Sequence, residues 1–264
     1  PRRSLRFDSH AAISVGVGPF VCGSMEEEMS ETKLRGCDWI SVRDSASYEY
    51  CRRLGLNDVR LHADLCFARP LWTSQAEGRY ARNSGIGSIG VVVRDWPHDN
   101  VGSSYIGPLV DAVERLRSAG FNVTYVSFAP ACDPLMVSLL HEKHEDILCW
   151  DPYTMTLDDF TRRLSEYDLL IAARAHGVII GAALGIPSIA IVIEPKLRLV
   201  CERLTGGTEM WCPPFDSDNL TNTVERMSEH WGGYSSAIAG AAAKCSEDAL
   251  AGGKSLKNYI GSLL

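Results

Sequence analysis

Apolar and polar positions along the first 70 residues alternate between strand-length apolar runs and helical patterns. Strands are predicted at 11–20, 38–44 and 58–64, and helices at 24–36 and 45–56. Ser24 stands three residues before Glu27, which is the spacing of a capping box, and Gly55 follows the second helix at a position that favours glycine. Such an alternation predicts a parallel α/β sheet.

The same alternation resumes after a break. Residues 71–87 lack hydrophobic periodicity and are rich in Gly, Ser and polar side chains, which is typical of a linker. A longer strand-helix series fills 88–231, and an alanine-rich helix is predicted over 232–264. We therefore divide the chain into a Rossmann-like portion at 1–70, the linker, a second Rossmann-like domain and the helical segment. Two α/β domains that face each other across a cleft follow from this division.

The stretch 168–196 combines two buried strands, a short apolar helix and several charged side chains. The helix connects two parallel strands, so their carboxyl ends meet at one edge of the sheet. Arg174 and His176 follow the first strand, and Glu194 and Lys196 follow the second. Ligands bind at this edge in open α/β sheets, and cations beside a helix N-terminus attract anions. The stretch therefore predicts an anion-binding site.

The overall composition restricts the class of ligand and the compartment. The formal net charge is −7, so no basic surplus is available to neutralise a nucleic-acid backbone. Nine cysteines are scattered without a C-x-x-C pair or zinc spacing, which indicates reduced thiols in a reducing compartment. The sequence shows no signal peptide and no apolar run of membrane-spanning length. We therefore expect a soluble cytoplasmic protein that does not bind nucleic acid.

Several separated motifs resemble the polysaccharide pyruvyl transferase family. They are SVRDSASYEYCRRLG followed by LHADLCF, VVVRD, and ARAHGVIIGAALGIPSIAIVIEPK. The last motif is the most specific, because it combines R-x-H, a G-I-P ten residues further on, and Lys196 twenty positions after His176. The resemblance covers most of residues 11–205.

The resemblance implies a GT-B-like α/β fold of two Rossmann-like domains, with the N-terminal domain shortened. It implies transfer of the carboxyvinyl unit of phosphoenolpyruvate onto two hydroxyls of a sugar, which gives a cyclic ketal and free phosphate. The acceptor would be a lipid-linked or nucleotide-linked sugar of surface-glycan assembly, and a lipid-linked one would bring the enzyme close to a membrane. Beyond this donor substrate the scheme needs no cofactor and no metal. The family's functional cations correspond to Arg43, His176 and Lys196, with Arg174 in the same motif.

The residue chemistry fits such a donor. Phosphoenolpyruvate carries a phosphate and a carboxylate, so its site needs several fixed cations. We expect His176 to act as general acid and base, because imidazole exchanges protons near neutral pH, with Arg43 and Lys196 as the other catalytic residues. Arg174, Arg94 and Lys196 are the predicted donor-binding residues, and Asp64 could contact the acceptor hydroxyls.

Structural roles are open for four of these residues. Arg43 could form a capping and ion-pair device with Asp44, and His176 could be an ordinary helix N-terminal residue. Arg94 could be ion-paired with Asp95, and Asp64 could form a local turn. A further pair, His141 and His144, is spaced i, i+3 on a predicted helix, and surface histidines are favoured there over a metal site because no third ligand is near.

The chain departs from the family pattern at Glu194, where Asp is usual, and at Leu65, where Pro is usual. The family also has roughly half a domain upstream of the first residue here, so we expect a fragment or a member with a reduced acceptor side. Two other functions remain as alternatives. One is a glycosyltransferase of the same architecture that uses a sugar nucleotide, and the other is a non-catalytic glycan-binding or anion-binding domain.

Overall fold

A computed structural model of the chain describes residues 9–73, 85–96 and 98–263. The chain divides into two compact units: a smaller unit of Pro1–Ala68 with Cys245–Leu264, and a larger unit of Arg69–Lys244. Of the predicted linker at 71–87, residues 74–84 lie outside the described residues. The domain boundaries given above stay predictions.

The smaller unit contains a parallel three-stranded sheet in the order β1-β2-β3. Its elements are β1 (Ala11–Val15), α1 (Met25–Arg35), β2 (Trp39–Val42), α2 (Ser45–Arg53), β3 (Val59–Leu61) and a 3-10 helix at Leu65–Phe67. Leu34 of α1 and Cys51 of α2 pack against Ile40, Val42 and Val59 of the strands. Each helix therefore contributes a buried side chain to the core on the sheet.

Local capping follows the sequence in this unit. The Ser24 hydroxyl accepts a hydrogen bond from the Glu27 N–H at 3.2 Å, as the capping-box spacing predicts. The Asp44 carboxylate accepts from the Ser47 N–H at 2.7 Å and so caps α2. Gly55 follows the last turn of α2 with a φ of +78°, a conformation that costs glycine little.

The larger unit contains a parallel six-stranded sheet in the order β6-β5-β4-β7-β8-β9. Its elements are a 3-10 helix at Arg69–Leu71, β4 (Ser88–Val92), α3 (Asn100–Ser103), α4 (Ile106–Ser118), β5 (Asn122–Ser127), a 3-10 helix at Pro130–Cys132, α5 (Pro134–Glu142), β6 (Ile147–Cys149), α6 (Leu157–Leu164), β7 (Leu169–Ala172), α7 (Ala175–Ala183), β8 (Ser188–Ile191), α8 (Pro195–Arg203), β9 (Thr208–Trp211) and α9 (Ser217–Glu229). The last helix, α10 (Trp231–Leu263), begins in this unit, and its residues from Cys245 onward belong to the smaller unit. If the six strands are numbered along this unit alone, so that β4 is the first, their order across the sheet is 3-2-1-4-5-6. This is the Rossmann order, and it reverses between β4 and β7, a place we call the switch point.

The crossover from β7 through α7 to β8 has the buried strands and apolar helix that the sequence predicts. Every residue of β7 and β8 is buried, and the two strands are parallel with Ile171 opposite Ile189. A Cβ on Gly177 would lie 3.0 Å from the Ala172 Cβ, and a Cβ on Gly181 would lie 2.8 Å from Leu170 Cδ1. These two glycines, one helical turn apart, therefore let α7 approach the sheet closely.

Three other findings complete the fold. His144 lies beyond the end of α5 with a φ of +56°, so the prediction that His141 and His144 share a helix is wrong. All nine cysteines lie within the described residues, and none of them forms a disulfide bond. Within the described ranges, no helix is both long enough and apolar enough to cross a membrane.

We expect Gly181→Val to destabilise the protein by about 1–3 kcal/mol, because the branched side chain would overlap Leu170 in a filled core. Urea unfolding measures the change. Gly240→Val is the matched control: Gly240 is exposed on α10, an added Cβ there would meet no neighbouring atom within 4 Å, and the replacement should cost less than about 0.5 kcal/mol. Equal losses in the two variants would show that α7 is not closely packed.

Candidate functional site

The central strands of the larger unit carry the predicted donor-binding residues to one edge. Val92 of β4 pairs with Ala172 of β7, and Arg94 and Arg174 each stand two residues beyond these partners. His176 is the second residue of α7 and is exposed. The larger unit therefore presents two arginines and this histidine at the carboxyl edge of its sheet, beside the switch point.

Arg174 is held by the buried carboxylate of Asp133. The Arg174 Nη2 donates to Asp133 Oδ1, and the Asp133 side chain is fully buried. The same carboxylate accepts from the Asp95 N–H at 3.1 Å and from the Ser127 hydroxyl at 3.4 Å. Asp133 thus joins the ends of β5, β4 and β7, which are adjacent in the sheet and include the two strands that flank the switch point.

Asp95 also binds the segment that contains Asp133, through its own side chain. Its carboxylate accepts from the N–H groups of Leu135 and Met136, each at 2.8 Å, and so caps α5 from the neighbouring strand. The segment after β4 and the start of α5 therefore hold each other through reciprocal hydrogen bonds. An ion pair between Arg94 and Asp95, one of the structural alternatives above, is wrong for this reason.

Arg94 instead forms an ion pair with Glu194. Arg94 Nη1 lies 2.5 Å from Glu194 Oε1, and the guanidinium carbon lies 4.8 Å from the centre of the Trp96 ring. The Tyr105 hydroxyl donates to the Arg94 carbonyl at 2.5 Å, and burial raises the pKa of this phenol, so Tyr105 remains a donor at neutral pH. Backbone and side chain of Arg94 are therefore both fixed.

Lys196 differs from the two arginines in its contacts. It is half-buried in the first turn of α8, and it forms no ion pair with the residues that the structure describes. Arg174 keeps one donor without a partner among the same residues, its buried Nε. The cationic groups at this edge thus retain hydrogen-bonding capacity for an anion.

Three helices of this unit, α4, α7 and α8, lack the capping side chains found on others. The residues that precede α4, α7 and α8 are Tyr105, Arg174 and Glu194, and none of them caps its own helix in the described part of the chain. Thr156 and Asp216 do cap α6 and α9, which follow the outer strands β6 and β9. The uncapped first turns offer N–H groups and the positive ends of helix dipoles at the switch point.

The smaller unit brings Arg43 and Asp64 together. Arg43 Nη1 lies 2.6 Å from Asp64 Oδ2, and both side chains are largely buried. A Cβ on Gly16 would lie 2.6 Å from Arg43 Nε, so the guanidinium rests against a position that only glycine leaves open. Arg43 therefore pairs with Asp64, while Asp44 caps α2 separately.

Asp64 also has a local turn-forming role, the structural alternative given above. The third predicted strand ends earlier than expected, at Leu61, and Asp64 accepts from the Cys66 N–H at 2.9 Å at the start of the 3-10 helix. Burial, together with the neighbouring Asp64 carboxylate, raises the pKa of the Cys66 thiol to about 12. Cys66 is therefore a thiol and not a thiolate at neutral pH.

Sequence reasoning missed Asp133, Tyr105 and Gly16, and it noted Glu194 only as a departure from a pattern. Asp133 precedes a proline at a helix start, which is a common place for a capping residue, and nothing in its neighbours indicates a contact with Arg174 forty-one positions away. Gly16 carried a weak signal as part of a Gly-x-Gly strand exit. The assignment of catalytic and binding roles to the predicted residues stays a prediction.

Comparison with known proteins gives a family and a fold. The family model described as polysaccharide pyruvyl transferase matches residues 7–195. No curated protein sequence matches the chain.

Solved structures of low sequence identity share the fold. Anabaena HepE, solved in complex with UDP and glucose, is 15% identical with a TM-score of 0.55 over 89% of this chain and 68% of its own. Sucrose-phosphate synthase from Thermosynechococcus elongatus is 14% identical with a TM-score of 0.58 over 90% of this chain and 62% of its own. A glycosyltransferase from Rickettsia africae is 13% identical with a TM-score of 0.58 over 92% and 68%. The fold is therefore α/β with parallel sheets, as in GT-B glycosyltransferases, and the chain spans about two thirds of these structures.

We expect Asp133→Asn to lower the free energy of unfolding by about 3 kcal/mol, because Arg174 would keep its charge in a buried place without a counter-ion. Urea unfolding measures this loss. Asp218→Asn is the control, since Asp218 pairs with Arg115 on the exposed surface and its loss should cost less than about 1 kcal/mol. If Asp133→Asn lowered the free energy of unfolding as little as the control does, the Asp133 carboxylate would not be needed to hold the strand ends together.

Proposed function

Because the chain belongs to the polysaccharide pyruvyl transferase family, we propose that it transfers the carboxyvinyl unit of phosphoenolpyruvate to two hydroxyls of a sugar. The observation that carries this proposal is the gathering of family-motif residues at one edge. Arg174 and His176 follow β7, Lys196 follows the neighbouring β8, and the helices that begin after these strands have no side-chain caps. A dianionic phosphate and a carboxylate are the ligand groups that such an edge attracts.

The proposed reaction conserves atoms and charge without a redox step. A proton adds to C3 of the donor, which makes C2 electrophilic, and the first sugar oxygen bonds to C2 and gives up its proton. The bond between C2 and the phosphate oxygen then breaks, and the second sugar oxygen bonds to C2. The two sugar hydroxyls lose one proton each. One of these protons compensates for the proton added to C3, which becomes a methyl group, and the other is taken up by the inorganic phosphate. The products are a ketal that keeps its carboxylate, and free phosphate.

Each step of this reaction has a residue suited to it. His176, exposed in the first turn of α7, is the proposed acid and base that moves protons to C3 and from the sugar hydroxyls. Arg174 and Arg94 would hold donor oxygens, and Lys196 would stabilise the departing phosphate as a point charge. Arg43 is the proposed cation from the smaller unit, and its partner Asp64 could accept a hydrogen bond from the acceptor.

The acceptor that we propose is a lipid-linked or nucleotide-linked sugar of surface-polysaccharide assembly. We propose the cytoplasm as the compartment, because phosphoenolpyruvate is an intermediate of central metabolism. A second candidate function is sugar transfer from a nucleotide sugar, which is favoured by the structural similarity to HepE with its bound UDP and glucose. The diphosphate of a nucleotide sugar would use the same cations and helix N-termini.

Incubation with phosphoenolpyruvate and candidate sugar acceptors tests the proposal. Release of inorganic phosphate together with a gain of one ketal-linked pyruvate on the acceptor, followed by mass spectrometry, is the expected result. Consumption of a nucleotide sugar instead would establish the second candidate. Binding of either donor without turnover would indicate a non-catalytic anion-binding domain.

We expect His176→Ala and Lys196→Ala each to lower kcat for transfer by roughly 10²–10⁴-fold, because each removes a group that acts on the reacting atoms. The melting temperature should change little. The matched controls are His141→Ala and Lys143→Ala, which change exposed residues of the same types and should keep full activity. Wild-type rates in either site variant would exclude that residue from the mechanism.

We expect Gly16→Ala to lower transfer by about tenfold or more while the unit stays folded, because the new methyl group would push the Arg43 guanidinium away from Asp64. Activity and circular dichroism are measured together. Gly36→Ala, where an added Cβ meets only ordinary contacts at 3.5 Å, is the control in the same unit. Unchanged activity of Gly16→Ala would indicate that the position of the Arg43 guanidinium does not matter for transfer and that Arg43 has a structural role only.

A further inference from the structure

Glu194 stands at a position where an acidic side chain usually caps a helix. It precedes α8 in extended backbone conformation, which is the geometry of an N-cap residue, yet its side chain makes no capping hydrogen bond. Asp44 and Asp216 occupy the equivalent positions before α2 and α9, and both cap their helices. The Glu194 carboxylate is therefore committed to another partner.

That partner is Arg94, which lies one hundred positions earlier in the sequence. The Glu194 side chain is 7% exposed and the Arg94 side chain 21%, so the pair is poorly screened by solvent. Glu194 accepts a hydrogen bond from Nη1 of Arg94, and the guanidinium carbon lies over the Trp96 ring. The ion pair and the ring together restrict the orientation of the guanidinium, so its other donors keep a defined direction.

The position of the pair relates it to the anion site. Glu194 follows β8 and Arg94 follows β4, and both strands are hydrogen-bonded to β7. Because Glu194 turns toward Arg94, the first-turn N–H groups of α8 are not occupied by its side chain, and Lys196 lies in that same turn. The Glu194 carboxylate thus orients Arg94, and the first-turn N–H groups of α8 remain without a cap from this side chain.

We propose that Glu194 is a positioning residue for donor phosphate, acting through Arg94. This inference rests on the proposed function for the identity of the donor, while the predicted effect on phosphate binding does not need turnover. Glu194→Gln keeps the size and one hydrogen-bond acceptor but removes the charge that fixes the guanidinium.

Calorimetric titration with inorganic phosphate, and steady-state kinetics with phosphoenolpyruvate, test the inference on the full chain. In Glu194→Gln we expect the Kd for phosphate and the KM for phosphoenolpyruvate to rise roughly tenfold, with a smaller change in kcat. The control is Glu145→Gln, which breaks an Arg117–Glu145 pair of the same unit at the start of β6, the opposite edge of the sheet. This control should lose stability without losing phosphate affinity.

Two outcomes with the Glu194→Gln variant and the wild-type chain would overturn the inference. One is a Glu194→Gln variant that binds phosphate as tightly as wild type or the Glu145→Gln control, and the other is a wild-type chain that does not bind phosphate. If Glu194→Gln does not fold, the double variant Arg94→Gln with Glu194→Gln is compared with Arg94→Gln alone, and equal phosphate affinity is expected. A further loss in the double variant would show that Glu194 does not act through Arg94. Phosphate binding without pyruvyl transfer would reject the proposed function and leave the role of Glu194 standing.

Discussion

The contacts of the buried Asp133 carboxylate are the interactions on which the carboxyl edge of the larger unit's sheet depends. The carboxylate accepts hydrogen bonds from Arg174, from the Asp95 N–H and from Ser127, and these three partners follow or end three different strands. A buried charge is stable only when it is paired and hydrogen-bonded, so each of these contacts is needed by the others. Asp95 reinforces the arrangement because its own carboxylate caps α5. The strand ends at the switch point are therefore fixed relative to one another before any ligand binds.

Both arginines at this edge are paired with carboxylates, so the edge carries little net positive charge from them. Arg174 is paired with Asp133 and Arg94 with Glu194, which leaves Lys196 as the cation without an ion pair among the described residues. Such pairing limits the mobility of the arginines and keeps their unused donors in place, which is the form of preorganisation that favours binding of a phosphate. The uncapped first turns of α7 and α8 add N–H groups that carry no counter-charge. Anion recognition at this edge would thus depend on orientation more than on net charge.

Small residues set how closely these parts can approach. Gly177 and Gly181 let α7 pack against β7, which brings the helix N-terminus and His176 to the end of the strand. Gly16 has a comparable role in the smaller unit, where it leaves space for the Arg43 guanidinium beside Asp64. In both units glycines determine where a cation or a helix terminus can be placed, although none of them has a side chain that takes part in chemistry.

The sequence by itself determined the alternation of strands and helices, the helix cap at Ser24, the parallel β7-α7-β8 crossover, and the family. These features depend on local periodicity, on turn chemistry and on motifs whose residues are close together in the chain. Only the tertiary structure decided which charges meet. Arg94 pairs with Glu194 rather than with its neighbour Asp95, and Arg174 pairs with Asp133, because parallel strands bring distant chain segments to one edge. Burial then selects the partner of each charge, and burial is a property of the packed fold that no local pattern contains.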